Sequence, residues 1–381
     1  MLANKRHLFD IPEDVAYFNC AYMSPLSKQT TAAGIEGLCR KSTPWQMTSE
    51  DFFTESAYLK KLFAKLVNTK SDNIAIIPSA SYGLAIAARN ITLSRGQKIL
   101  VLEDQFPSNI YCWQKLAADS GAVIEVVDTP ADRDWTRAVL DRIDDTVGLA
   151  ALANNHWADG GFIDLVQIGS ALRAVGAKLV LDVTQSLGAL PLDIQAVQPD
   201  FLIVAAYKWL LSPYSIGMMY VAPHQQDGEP IEYNWLNRAG SENFAGLVNY
   251  QADYQPGATR FDMGQRANFA LLPAAISALE QILDWDPANI YETLGQINKR
   301  IAEQASAIGL TSPPEEFRAK HFLGLESPGG FPADLLDSLA AQKIFVSIRG
   351  NSLRITPHLY NTQQDCDRLL NALENLLGAN K

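Results

Sequence analysis

Apolar and polar residues alternate along this chain in two rhythms. Short continuous apolar runs bounded by turn residues fall at 73–77, 99–102, 147–153, 201–206 and 216–221, and a further run ends on Asp182. Runs of this length read as buried strands of an α/β sheet. Apolar positions at helical spacing lie between and after them, at 28–39, 49–66, 80–88 and 165–175 and from Asn268 onward. Beyond Pro287 the pattern predicts helices at 290–308, 332–340 and 363–377, with strands at 321–325, 345–348 and 352–355. Residues 15–26 read as a short extended segment ending in a turn. Residues 227–259, rich in Gly, Asn, Pro and aromatic side chains, read as one long loop. A loop of that length in a compact domain is usually functional and is expected to shape specificity. The resulting division is an N-terminal arm (1–25), a large α/β domain (26–286) and a small α+β domain (287–381).

Two charged residues stand where the apolar runs stop. Asp182 closes one run and Lys208 follows the next, so both project into the crevice at the carboxyl edge of the sheet, where open α/β sheets bind ligands. The chemistry that needs this pair is that of pyridoxal phosphate. A lysine amine forms a Schiff base with the cofactor aldehyde, and a carboxylate keeps the ring nitrogen protonated. Such a lysine must have a lowered pKa, and Val204-Ala205-Ala206 and Trp209-Leu210-Leu211 supply apolar flanks for that. Taken singly, a strand-end Asp and a loop Lys are ordinary; the whole pattern is more specific than either. At Pro78-Ser79-Ala80-Ser81-Tyr82-Gly83, hydroxyls and free N–H groups at a helix start form a candidate anion site.

Asp182-Val183-Thr184-Gln185-Ser186, Gly188-Ala189, Pro199-Asp200-Phe201 and Tyr207-Lys208-Trp209-Leu210 through Pro213 together resemble the signature of class V aminotransferases, within fold type I. That group includes cysteine desulfurases, kynureninase and isopenicillin N epimerase-like enzymes. The resemblance implies a large domain with a mostly parallel seven-stranded sheet flanked by helices, a smaller α+β C-terminal domain, and a homodimer with its active site near the interface. It also implies residue roles. Ala80 and Ser81 would meet the phosphate, Phe106 would stack on the pyridine ring, and Asn109 would join the cofactor contacts in a Phe-Pro-Ser-Asn element similar to that of kynureninases. Trp157 falls where desulfurases carry an Asn near the ring hydroxyl. Gln185 would approach the ring oxygen, and Tyr207 the phosphate. Arg354, in an element that resembles the family's Arg and Tyr-Asn-Thr, would clamp an α-carboxylate with its planar fork, with Arg349 as the fallback. Tyr22 would line the substrate pocket. Gln265 replaces the Thr that in the family reaches the neighbouring subunit's phosphate. His156 is a further candidate base.

Composition narrows the setting. With 381 residues, 48% of them hydrophobic, the chain can bury a large core. A formal charge of −11 argues against nucleic acid or anionic membrane as a partner and leaves small molecules. No run reaches the ~18 apolar residues of a membrane span, the N-terminus lacks an apolar signal core, and the four scattered cysteines show no metal spacing. A cytoplasmic enzyme without a metal is expected. No Cys lies between Cys112 and Cys366, where a desulfurase needs its thiolate. Kynureninase chemistry gains from Phe106 and Tyr207 but loses where Asn109 and Gln185 replace its Asp and His. The first expectation is an aminotransferase acting on an α-amino acid through Lys208. Alternatives on the same fold are a β-eliminating carbon–sulfur lyase, an epimerase and a kynureninase-like hydrolase. A nicotinamide dehydrogenase would need a G-x-G-x-x-G after a strand, and none is present. A non-catalytic binding protein on this fold would be expected to have lost Lys208 or Asp182, and both remain.

Overall fold

The computed structural model describes residues 1–378. After a two-residue strand, β1 (Ala16–Tyr17), the chain lays down β2 (Ile74–Ile77), β3 (Lys98–Leu102), β4 (Val123–Val127), β5 (Val147–Leu152), β6 (Lys178–Asp182), β7 (Phe201–Ala205) and β8 (Gly217–Val221). These seven form one sheet in the order β2-β8-β7-β6-β5-β3-β4. Pairings from β4 through β7 are parallel, while β8 runs antiparallel to both β7 and β2. Strand order reverses between β3 and β5, which opens the crevice beyond their carboxyl ends.

The helices are α1 (Lys28–Cys39), α2 (Thr54–Leu66), α3 (Ala80–Asn90), α4 (Ser108–Ser120), α5 (Trp135–Leu140), α6 (Leu165–Ala174), α7 (Ile194–Val197), α8 (Leu271–Trp285), α9 (Pro287–Ala307), α10 (Leu335–Ala341) and α11 (Gln363–Gly378). Successive strand side chains point to opposite faces, so each strand feeds two cores. Leu100, Leu102, Leu181, Leu202 and Val204 pack with Phe63 of α2, Leu172 of α6 and Leu279 of α8. Ile99, Val101, Val180, Phe201 and Ile203 pack with Ile86 of α3 and Trp113 of α4. Both faces are covered, which is why the runs read as continuously apolar.

Asp286 separates α8 from α9. It adopts a left-handed φ of +63° and its carboxylate accepts from Ala288 N at 3.0 Å. The chain then builds β9 (Leu323–Leu325), β10 (Ile344–Phe345), β11 (Ser347–Arg349) and β12 (Ser352–Ile355). The last two and β9 form an antiparallel sheet in the order β11-β12-β9, and β10 pairs in parallel with β1. A separate core of Ile301, Leu323, Leu353, Ile355 and Leu369 lies under this sheet.

The structure refines several sequence expectations. The helix expected over 49–66 starts at Thr54, after a 3-10 turn at Glu50–Phe52, because Phe53 leaves the helical region at φ −121°. The strand expected at 345–348 is two strands with different partners. Strand β4 and helices α4, α5 and α7 lie outside the elements read from the pattern. Residues 227–259 do run without a strand, interrupted by 3-10 turns at Trp235–Asn237 and Phe244–Gly246. The last three residues of the expected 287–381 segment lie outside the described residues.

Candidate active site

A pocket opens beyond the carboxyl ends of β3, β5, β6 and β7. Its wall brings together Ala80, Ser81, Phe106, Trp157, Asp182, Gln185, Tyr207 and Lys208. Lys208 is 6% exposed, and its Nζ stands 5.6 Å from the Phe106 ring centroid and 5.5 Å from that of Tyr207. Burial pulls its pKa down to about 8. Asp182 opposes that shift, while Arg354 and Arg349 add to it. A sizeable neutral fraction near neutral pH makes this amine a nucleophile, which a solvated lysine is not.

Asp182 ends β6 with its carboxyl buried. Burial raises its pKa against the hydrogen bonds from Thr184, whose N–H donates to Oδ1 at 3.0 Å, and against the charge of Lys208. A buried carboxylate with so little protein compensation is a seat for a cation. Two loops are thereby held close. Gly188, at φ +109°, lies so near the backbone after Lys208 that a Cβ there would stand 2.3 Å from the Trp209 carbonyl oxygen. Only glycine fits, for both reasons.

The start of α3 supplies an anion site. Ser79 caps the helix, its Oγ accepting from Tyr82 N at 3.2 Å and lying 3.0 Å from Ser81 Oγ. The N–H groups of Ala80 and Ser81 belong to the first turn and have no acceptor within the helix. Above Lys208, Phe106 meets Trp157 edge to face at 5.4 Å, and Trp157 Nε1 donates to the Asp104 carbonyl at 2.5 Å. Tyr207 packs 4.6 Å from Tyr214. Its hydroxyl is pushed up to about 12 by burial first, then by Tyr214, Asp182 and Tyr22. Gln185 donates through Nε2 to Ala21 O at 3.1 Å, and its main-chain carbonyl accepts from His321 Nε2 at 2.8 Å. Burial drives His321 down to about 4, so this ring is neutral and donates through Nε2.

Five residues expected at or near the site, Asn109, Tyr22, Arg354, His156 and Gln265, stand outside this wall. Asn109 is fully buried at a kink in the first turn of α4, where its Oδ1 accepts from Trp113 Nε1 at 2.9 Å. Tyr22 is 54% exposed. Arg354 lies behind Trp157, donating to Ser347 Oγ from Nε at 3.0 Å and Nη2 at 2.8 Å, and to the Trp157 carbonyl from Nη1 at 3.2 Å. Burial, with Arg349 adding, pulls Arg354 down to about 9, and among the described residues no carboxylate pairs with it. His156 faces away from the pocket wall, tied to Asp159 at 3.1 Å and to the Glu103 carbonyl at 3.1 Å, and stacked on Trp135. Gln265 takes a left-handed φ of +58°, next to Gly264, whose N–H donates to Glu232.

Gln105 and Asn155 are two site residues that the residue pattern does not single out. Both line the pocket, and among the described residues Gln105 Nε2 and Asn155 Oδ1 are buried without a partner. A positional signal existed. Gln105, Asn155, Gln185 and Lys208 each stand three residues past the last residue of β3, β5, β6 and β7.

These donors suit a flat, positively charged heteroaromatic ring that carries a phosphate. The buried carboxyl of Asp182 awaits a cation, a phenyl ring faces the lysine, two orphaned amide atoms border the cavity, and a helix N-terminus presents free N–H groups. Comparison with known proteins points to the same group. The class V aminotransferase family model matches residues 45–369. The uncharacterized aminotransferase YcbU of Bacillus subtilis is 24% identical over 339 residues, covering 87% of this chain and 85% of that protein. The apo structure of a cysteine desulfurase from Thermococcus onnurineus superposes with a TM-score of 0.86 at 19% identity, over 100% of this chain and 99% of that one. A C-DES structure with glycine covalently linked to its PLP cofactor gives a TM-score of 0.87 at 17% identity, over 98% and 99%. The match spans most of the chain and the pocket fits the group, so this protein belongs to the class V aminotransferases and is an enzyme that uses pyridoxal 5'-phosphate.

Proposed function

We propose that the enzyme acts on the α-carbon of an amino acid, with Lys208 as the residue that holds the cofactor, and that it moves the amino group to a 2-oxo acid. The observation that carries this reading is the buried Lys208 amine, with a pKa of about 8, sharing one pocket with the Phe106 ring and Asp182. When bound, the cofactor supplies an electron sink for charge that develops at the α-carbon. Asp182 would hold the ring nitrogen in its protonated state. Ala80 and Ser81, with Tyr207 in the same pocket wall, would bind the phosphate. Phe106 would pack on the ring, and Trp157, Gln105, Asn155 and Gln185 would supply its other contacts. Arg354, which lies behind Trp157, would turn its fork to the substrate carboxylate, and the Lys208 amine would take the α-proton and return it.

The same groups serve β-elimination, so a carbon–sulfur lyase is the second reading. Desulfuration fits less well, since no cysteine lines the pocket among the described residues. The reading includes a homodimer: Ile35, Leu38, Trp45, Val248 and Tyr250 stand exposed, as an unpaired interface would leave them. It also includes the division into 1–25, 26–286 and 287–381, for which the break at Asp286 and the separate cores argue. Among the described residues no helix is long and apolar enough to cross a membrane. The four cysteines are unpaired, as suits a cytoplasmic enzyme.

The test is a panel of L-amino acids given to the purified, PLP-loaded protein, with amino transfer to 2-oxo acids followed beside release of ammonia, pyruvate and sulfide. Transfer without release supports the first reading, and release without transfer replaces it with the second. Failure of borohydride to fix PLP to wild type, or fixation equal to it in Lys208→Ala, would overturn the role of Lys208.

A further inference from the structure

The hairpin of β11 and β12 has two unlike faces. Ile348, Leu353 and Ile355 pack into the C-terminal core. By strand alternation Ser347, Arg349, Ser352 and Arg354 share the opposite face. The register agrees, because Ser347 lies opposite Arg354 and Arg349 opposite Ser352, and directly opposed residues point the same way. That face looks toward the pocket: Arg354 Cζ stands 5.8 Å from the ring of Trp157, a residue of the pocket wall. One hairpin therefore carries two guanidinium groups on the face that backs the pocket wall at Trp157.

Their partners do not balance. Arg354 is held by Ser347 and a carbonyl, and Arg349 donates from Nη1 only to the Ile348 carbonyl at 2.7 Å. Among the described residues neither forms an ion pair, and Asp182 is the only acidic side chain in the pocket wall. Ser352, opposite Arg349, is 4% exposed, and among the described residues its hydroxyl has no partner. Arg349 is also near enough to lower the pKa of both Arg354 and Lys208. If Arg354 takes the α-carboxylate, as the proposed function has it, one cation and one buried hydroxyl are left over on the same face. Arg349 and Arg354 are diagonal neighbours across the hairpin, about 7–8 Å apart at the backbone, a spacing that one small dianionic molecule spans.

We propose that Arg349 is a specificity residue that binds a second anionic group, so that the substrate is an amino acid with an acidic side chain: a carboxylate, sulfinate or sulfonate. The inference rests on the proposed amino-acid chemistry and deepens it. A guanidinium donates two parallel hydrogen bonds to such a group, and the neutral amide analogue leaves part of that fork unpaired.

The test uses matched pairs, L-aspartate against L-asparagine, L-glutamate against L-glutamine, and L-cysteine sulfinate against L-serine. Each is titrated against the PLP-loaded protein by its visible spectrum and by thermal shift, in wild type, Arg349→Gln and Arg349→Lys. Wild type is expected to bind the acidic member of at least one pair roughly tenfold or more tightly. Arg349→Gln should bring that ratio to within about threefold while leaving the neutral member's affinity in place, and Arg349→Lys should restore part of it. Retained binding of the neutral member shows that the variant is folded. A wild-type protein that prefers no acidic member, or a preference that survives Arg349→Gln, overturns the proposal. Binding of neutral amino acids with no acidic preference sinks this inference alone, whereas no response to any amino acid sinks the amino-acid reading with it.

Discussion

Two buried clusters in this protein each combine a carboxyl group with two cations, and they are built to opposite ends. In the first, Lys60 Nζ and Arg266 Nη1 both meet Asp262 Oδ2, at 2.7 and 2.9 Å, while Oδ1 accepts from Ile76 N at 2.7 Å. Asn237 closes the cluster, its Oδ1 2.5 Å from Arg266 and its Nδ2 2.8 Å from the Asp262 carbonyl. The second holds Lys208, Asp182 and Arg354, equally buried, yet among the described residues none of the three forms an ion pair within the protein. The first has consumed its valences internally and ties the chain before α8 to β2. The second meets its charges with neutral partners only, Ser347 and the Trp157 carbonyl at Arg354 and Thr184 at Asp182, and the protein bears a desolvation cost that a ligand can relieve.

That contrast separates loss of chemistry from loss of fold. Replacing Lys208 by Ala should lower turnover by at least about 10²–10⁴-fold with little change in the unfolding midpoint; a large drop in the midpoint would erase the distinction. Asp262→Asn should do the reverse, costing about 3–5 kcal/mol in urea unfolding because two buried cations lose their partner, with turnover per folded molecule far less affected.

The open cluster also predicts a pH signature in the cofactor-free protein. Lys208 titrates near 10.5 when unfolded and at about 8 when folded. Between those values the unfolded chain binds a proton that the folded chain does not, so stability rises with pH across the window. Below about pH 8 both states are protonated and the buried charge costs about 3 kcal/mol. Urea midpoints measured from pH 7 to 10.5 should rise more in wild type than in Lys208→Met, and parallel curves would refute the assignment. The smallest expected effect is at Phe106. Phe106→Leu should weaken PLP binding about three- to tenfold, as loss of one ring contact does, measurable by dialysis equilibrium.

The chemistry of the open cluster was more legible in the sequence than its surroundings. Asp182 and Lys208 interrupt apolar runs, and such a break marks a strand end whatever the tertiary context. Strand β4 gave a poorer signal, since it lies at the sheet edge with Val123 and Val126 exposed and Glu125 between them. Helix α4 starts directly after Pro107, so Ser108 and Asn109 looked like loop residues, and the burial of Asn109 against Trp113 depends on a kink that no periodicity encodes. The Ser347 contact of Arg354 requires the register of β11 on β12, which residue pattern alone leaves open. Gln105 and Asn155 are polar residues in turns. They become conspicuous only once the strand ends are known and the shared offset can be counted.

The near contact at Gly188 ties the histories of two loops together. Residue 188 faces the Trp209 carbonyl with no room for a methyl group, so the separation between the acid and the lysine is metered by a bare hydrogen atom. A lineage in which this position acquired a side chain would have to reseat Trp209 or push the two arms of the site apart. The loop after Asp182 and the loop after Lys208 are thus expected to be inherited as a matched set, and a graft of either one into a relative should carry the other with it.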